Sequence, residues 1–294
     1  MPTLSAARAL ILASSAILLP AVAHAQDADH DWTKTYTVAD HPSLTLATGD
    51  TGVEIASCGT CQTLHIAVHT DRKLSDYTLE EHQDQNHVFF TLKEHPTIGV
   101  HITWHTSGHQ GTRVTIETPA SLGLDAQLSD GGFSAHGLNG EFQIRSADGG
   151  ISLDDVRGTF NLKTSDGHLA VHHASGQIEG RTSDGSMDVD GQFSKVLLHT
   201  SDGSVTFALA EGSALTAPSR IESSDGSVRI RLPQNLAANL ELSASDGHVH
   251  CALPLALDGY DSKGSGHHIA GRLNAGGTPL TVHTSDGSVT VDAL

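Results

Sequence analysis

The feature that most constrains this chain is a tripeptide that returns at a fixed interval. Ser-Asp-Gly or a near variant recurs at Asp130, Asp148, Asp166, Asp184 and Asp202, each 18 residues after the last, and more loosely at Asp225, Asp246 and Asp286. A period of this length marks a repeat architecture, in which each unit buries its apolar face by stacking on its neighbours. Aligning the strict copies gives columns. Leu124, Phe142, Phe160, Ile178 and Val196 form one, and Ala126, Ile144, Leu162, Gly180 and Leu198 follow two residues on. Beyond the Asp-Gly turn come Phe133, Ile151, Leu169, Met187 and Val205, then Ala135, Leu153, Val171, Val189 and Phe207. The residues between them are mostly Ser, His, Arg, Asp and Lys. Alternation at period two on both sides of a turn predicts two short strands per repeat, each with one buried face.

Gly140, Gly158 and Gly176 fall in register at a second corner, with Ser194 breaking the run. Two strands and two corners per repeat predict an all-β, single-chain β-solenoid, parallel β-helix-like, with about 18-residue coils stacked about 4.8 Å apart. Eight or so coils make a rod on the order of 40 Å long. An antiparallel meander competes, because Asp-Gly also favours hairpins. Column identity at one coil spacing favours stacking. The organisation expected is residues 1–25 as signal peptide, 26–118 as a less regular β region that begins or caps the solenoid, and 119–294 as the repetitive solenoid. Within the second part, 64–69, 87–92, 98–104 and 114–118 read as strands and 74–85 as a turn or short helix. A degenerate copy around Ser265-Gly266-His267 is expected to fill the interval between Asp246 and Asp286.

Arg8 precedes an apolar run, Ala9 to Val22, that ends at Ala23-His24-Ala25. This is the pattern of a secretory signal, so the mature chain is expected to begin near Gln26 and to be exported, whether periplasmic, at the cell surface or secreted. No later stretch offers the roughly 20 apolar residues of a spanning helix. No cysteine follows the cleavage site to take a lipid. Lys plus Arg number 16 against 34 Asp plus Glu, a net charge of −18 that loss of Arg8 takes to −19. Nucleic acid is a disfavoured partner, since its binding draws on Lys and Arg replacing counterions. The close pair Cys58 and Cys61 reads as a small disulfide loop in an oxidising compartment. The redox reading of Cys-x-x-Cys wants a helix after the first cysteine, whereas Leu64-His65-Ile66-Ala67-Val68 alternates like a strand. Cys251, between Val249 and Leu253, reads as a buried small residue.

The run Val114-Thr115-Ile116-Glu117-Thr118-Pro119, the recurrent Thr-Ser-Asp-Gly-Ser-Val units, Ile269 to Gly277 and the terminal Thr284-Ser285-Asp286-Gly287-Ser288-Val289 resemble the DUF4097 family of adhesin-type bacterial envelope proteins. The resemblance spans about residues 45 to 294 and implies a β-solenoid in an envelope setting. It brings no catalytic residues. The cysteine pair and the histidines stand outside its pattern.

Three roles compete for the Asp column. In the first, each Asp side chain accepts backbone N–H groups and Gly supplies a positive φ. In the second, Asp130, Asp148, Asp166, Asp184 and Asp202 bind calcium, as in secreted β-rolls, although only one Asp falls in each 18 residues and the signature glycines are missing. In the third, neighbouring carboxylates cleave glycosides, but near-identical positions do not supply the two different environments an acid/base pair needs. The 21 histidines include His65 with His69, His101 with His105 and His109, His172 with His173, His248 with His250, and His267 with His268. Strand-surface solvation is their default, with transition-metal binding by one pair as the alternative. The function expected is non-enzymatic and without cofactor: an adhesin or surface-binding scaffold presenting a polar face to an envelope or surface polymer or protein. The alternative is a structural element that self-associates end to end.

Overall fold

The structure, a computed structural model, describes residues 29–95, 111–257 and 266–294. The signal segment and the strand expected over 98–104 lie outside them. Alternating burial along the repeat resolves into two parallel sheets that face each other across one core. In stacking order, sheet A runs His87–Glu94, Ser43–Thr48, Gly123–Leu128, Asn139–Ser146, Arg157–Lys163, then the later halves of Leu169–Arg181 and Met187–Thr200, then Ser219–Ser223, Pro279–Thr284 and Ala238–Ala244. Sheet B runs Arg113–Thr118, Gly52–Ser57, Phe133–His136, Ile151–Asp154, the early halves of the same two long strands, then Val205–Leu209, Val228–Leu232, Val289–Ala293 and Val249–Cys251. The long strands turn the corner unbroken and join the two sheets into one.

Phe142 pairs with Leu124 on one side and Phe160 on the other, and Ile151 with Phe133 and Leu169. The pairing is parallel, which sets the antiparallel meander aside. All four apolar columns point into the core, with Phe142 and Phe160 stacked at 5.5 Å between ring centroids. Each fully buried Leu, Ile, Val or Phe contributes about 1.5–3 kcal/mol, so the repeat places several such contributions in every coil.

Stack order departs from chain order at both ends. Ser43–Thr48 and Gly52–Ser57 lie inside the stack, covered by the coil that follows them in the chain. Pro279–Thr284 and Val289–Ala293 likewise slip between the two coils that precede them. The expected parallel copy at Gly266-His267 is therefore absent, Ser265 lying outside the described residues. The chain instead doubles back, with His268–Leu273 antiparallel to Ala238–Ala244 and Leu255–Leu257 antiparallel to His268–Leu273. At the other end Thr63–His69 runs antiparallel on Arg113–Thr118 and Asp31–Thr37 on Thr63–His69, while Tyr77–Asp84 runs antiparallel on His87–Glu94 after a single 3-10 turn, Leu74–Asp76.

Candidate binding surfaces

The corner from sheet A to sheet B is held by a buried hydroxyl. Thr164 Oγ1 lies 3.1 Å from the carbonyl oxygens of both Ala147 and Gly149 and accepts the N–H of Gly167 at 3.2 Å. Thr182, Thr200, Ser223 and Thr284 occupy the equivalent place. Glycine is required by close approach: a Cβ on Gly167 would stand 2.1 Å from the Gly149 carbonyl oxygen, and one on Gly185 2.0 Å from that of Gly167. The expectation of a positive φ here is corrected. Left-handed φ values belong to the return corner, at Gly158 and Gly176, both 131°.

Asp130, Asp148, Asp166, Asp184 and Asp202 are all exposed and form a file along the edge between the sheets. Their carboxylates accept no hydrogen bond among the described residues, which corrects the turn role expected of them. The reason is competition: the Gly167 N–H goes to Thr164, and the Asp184 N–H goes to the Ser165 carbonyl one coil away. Among the described residues no three His, Cys, Asp or Glu side chains converge as a metal-ligand group. A further corner, Thr48-Gly49-Asp50-Thr51, escaped the sequence reading because Thr51 replaces the glycine. Its signal is a buried Thr48 five residues before a buried Val53.

The outer face of sheet A carries a groove of about 470 Å³ lined by Ser43, Thr45, His87, Asp125, Gln143 and Asn161 among others, and by no Lys or Arg. Parallel register puts Thr45, Asp125, Gln143 and Asn161 in one row across four rungs. His87 heads the groove. Its Nε2 lies 2.9 Å from Thr45 Oγ1, and its ring stacks on Phe89 at 3.9 Å, which in turn stacks on His82 at 4.3 Å. Asp125 Oδ1 is screened from solvent and accepts no hydrogen bond, its cation being Arg145 at 3.6 Å. Further along the face the charges are paired, Arg181 with Glu179 at 2.8 Å and Arg220 with Glu222 at 3.0 Å.

Sheet B carries an outward file of alternating imidazole and carboxylate, His136, Asp154 and His172 in register on successive rungs and Asp190 next to the register shift that follows Val171. Asp154 takes Nδ1 of His173 at 2.8 Å and Nδ1 of His136 at 3.2 Å, and Asp190 takes Nδ1 of His172 at 2.6 Å. The hydrogen bond from His173 holds the Asp154 carboxyl below its usual range, and the same bond, helped by Asp190, raises the His173 imidazole. His173 itself stands at φ 51°, in a bulge of its strand. Of this cluster only the pair His172 and His173 was singled out from sequence, although the 18-residue spacing of the other members was visible. The other histidine pairs stay scattered: His69 bonds Asp31, and His267 stacks edge-on to His248. His101, His105 and His109 lie outside the described residues.

Cys58 and Cys61 form a disulfide in the connection that leaves Gly52–Ser57, with Cα atoms 5.9 Å apart. Cys251 is a free, half-buried thiol whose pKa burial pushes up.

Parallel coils, corners built on a buried hydroxyl and a glycine, and hydrogen-bonding outer faces define an all-β, β-solenoid-like repeat protein. The chain belongs to the Toastrack DUF4097 family, whose pattern it matches over residues 41–292. No curated protein matches it. Solved structures similar to it include a putative lipid binding protein from Parabacteroides distasonis, 14% identical over 89% of this chain and 96% of that one, with a TM-score of 0.49. Another is a putative adhesin from Parabacteroides merdae, 15% identical over 89% of this chain and 96% of that one, with a TM-score of 0.43. Among the described residues no helix is long and apolar enough to cross a membrane.

Proposed function

We propose that this chain is an exported, non-enzymatic envelope protein, an adhesin-like or surface-binding scaffold that engages a polymer or protein through its sheet faces. The observation that carries this reading is how the ends of the stack are finished. Of the four parallel strands that end the stack, His87–Glu94, Arg113–Thr118 and Ala238–Ala244 are each covered by an antiparallel strand, and the short Val249–Cys251 alone among the described strands there pairs along one edge, so little open template is left for another coil. Antiparallel strands cap the N-terminal end, where Lys34 Nζ and the Tyr36 hydroxyl both reach Glu81, at 2.6 and 2.8 Å, and tie the two outermost strands together. The outer strand there carries Glu80, Glu81, His82, Gln83 and Asp84, charge and polarity of the kind that discourages edge pairing. End-to-end self-association was expected to use the edge beyond Val289-Thr290-Val291, and Val249–Cys251 covers that edge. The unspent surface is the pair of faces, whose outward residues are hydroxyls, amides, imidazoles, carboxylates and a few Arg and Lys such as Arg181 and Arg229.

The test is sedimentation of the purified protein alone and with isolated bacterial envelope fragments. The reading expects a monomer that pellets with the envelopes. Concentration-dependent polymers in the absence of envelopes would favour the structural element instead, and a monomer that stays in the supernatant would reject the scaffold.

A further inference from the structure

We infer that the groove on sheet A is a subsite for a neutral polysaccharide chain lying along the stack axis, with His87 as the ring on which a sugar packs. The inference rests on the surface-binding reading and names its ligand class. The groove crosses five rungs, from His87–Glu94 to Arg157–Lys163, and so is about 19 Å long at the usual strand spacing. The row Thr45, Asp125, Gln143 and Asn161 and the one beside it, Ser43, Gly123, Glu141 and Thr159, repeat at the spacing of the strands, which suits a linear polymer with one polar contact set per unit better than a compact solute. Apart from Leu44, Leu124 and Phe142, whose side chains point into the core, its lining offers hydrogen-bonding groups: hydroxyls of Ser43, Thr45 and Thr159, amides of Gln143 and Asn161, carboxylates of Asp125 and Glu141. Polyols supply both donors and acceptors to such a set.

Charge narrows the choice. The lining has two carboxylates, one of them paired with the neighbouring Arg145, and no Lys or Arg of its own, so on a chain of net charge −18 the groove disfavours a polyanion. The ring is also preorganised. Stacking on Phe89 and the bond to Thr45 fix the His87 imidazole, so its presentation to a sugar face costs little further ordering.

Gly123 supports the same conclusion by contrast with the corner glycines. A Cβ there would meet only Ser43 Cβ at 3.7 Å and the Pro42 carbonyl oxygen at 3.9 Å, and its φ is not left-handed. The fold does not demand glycine at this place, and its absence of a side chain keeps the groove floor open. It also supplies a clean probe, because Gly123→Trp fills the groove from a position the backbone tolerates.

The experiment is native affinity electrophoresis of the whole protein through gels containing dextran, hydroxyethylcellulose, galactomannan or xylan, with alginate as polyanion and polylysine as polycation. Retardation by at least one neutral polymer and none by alginate is expected. Gly123→Trp and, separately, Asn161→Arg are expected to weaken it by about tenfold or more with melting temperature unchanged. No retardation by any neutral polymer, stronger retardation by alginate or polylysine, or wild-type behaviour of both folded variants would each overturn the site. Envelope binding that survives Gly123→Trp would leave the scaffold reading standing while removing the groove from it. Loss of envelope binding by the unmodified protein would remove the scaffold itself.

Discussion

From sheet A to sheet B the chain takes the same number of residues in every coil but the one that passes from His87–Glu94 to Arg113–Thr118; on the way back it does not. In the other coils the buried residue that ends the sheet A strand stands five before the buried residue that opens the next in sheet B, from Thr48 and Val53 through Thr164 and Leu169 to Thr284 and Val289. The return takes seven residues from Leu153 to Phe160 and from Val171 to Ile178, but twelve from Phe207 to Ser219 and ten from Ile230 to Leu240. The loosening of the Asp period after Asp202 therefore arises entirely at the return corner. The difference teaches where such a coil can vary. One corner is closed by a buried hydroxyl and by carbonyl oxygens pressed against glycine Cα atoms, and from Gly131 to Gly287 a Cβ added at its glycine meets backbone, Thr51 alone carrying a side chain at that place. The other corner admits insertions, bulges and left-handed residues, and it carries the His–Asp cluster.

The sharpest way to break this comparison is to add one methyl group at each corner. Gly185→Ala puts a Cβ 2.0 Å from the Gly167 carbonyl oxygen in the middle of the stack. It is expected to cost about 3 kcal/mol or more, or to prevent folding, because neither neighbouring coil can retreat without breaking its own pairing. Gly212→Ala sits on the return corner at φ 80° with Gln192 Nε2 as its nearest neighbour at 3.7 Å, and about 1 kcal/mol of backbone strain is expected. Urea denaturation of both variants checks the pair. Equal costs would mean that the two corners are not built differently.

Within the fixed corner, the threonine and the aspartate make opposite predictions. Thr182→Val keeps the shape but strips the hydroxyl that donates to the Ser165 carbonyl and accepts the Gly185 N–H, at an expected cost of about 1–3 kcal/mol. Asp184→Asn, two residues on in the same corner and exposed, is expected to stay within about 0.5 kcal/mol. An aspartate that proved the costlier of the two would restore it as the structural residue.

This inversion shows what could be read from the residues and what could not. The apolar columns from Leu124 to Val196 and from Phe133 to Val205 declared two inward faces per coil, because alternation and period suffice for that. Thr164 was equally visible in its copy, yet a hydroxyl beside Ser and Asp looks like loop polarity until stacking buries it. Stack order was out of reach for a different reason. Pro279–Thr284 and Ala238–Ala244 alternate alike, so the pattern of one strand does not name its neighbours, and only the packed coils show that the last one slips inside. The groove on sheet A depends on that same threading. Ser43 and His87 face each other although they are 44 residues apart, out of phase with the 18-residue period.

A smaller effect distinguishes the variable corner by pH. The raised His173 favours the folded state below the ordinary imidazole pKa of about 6.5, and that contribution is lost as pH climbs through the raised value. The lowered Asp154 contributes above the ordinary carboxyl pKa of about 3.9 and is lost as pH falls through its lowered value. The pair therefore acts most strongly between about pH 4 and pH 6.5. His173→Gln is expected to lower the melting temperature slightly at pH 5 and not at pH 9, since both partners are solvent-exposed and screened. A difference that is the same at both pH values would show that the contact between His173 and Asp154 is not ionic.

The least effect is expected from calcium at the fixed corner, and the reason is the fate of the backbone oxygens. A calcium site gathers six to eight oxygens, so the exposed carboxylates of Asp130, Asp148, Asp166, Asp184 and Asp202 would need carbonyl groups beside them. Those carbonyls are committed. Ser165 O accepts the N–H of Ser183 and of Asp184 and the hydroxyl of Thr182, and Ser183 O does the same for the next coil. A file of carboxylates at strand spacing thus has few further ligands to offer. Adding calcium to chelator-treated protein is expected to leave the melting temperature where it was, whereas the return corner responds to protons. A saturable rise on calcium addition, absent with magnesium, would show instead that the invariant corner binds ions and would turn the comparison round, making the fixed corner the chemical one.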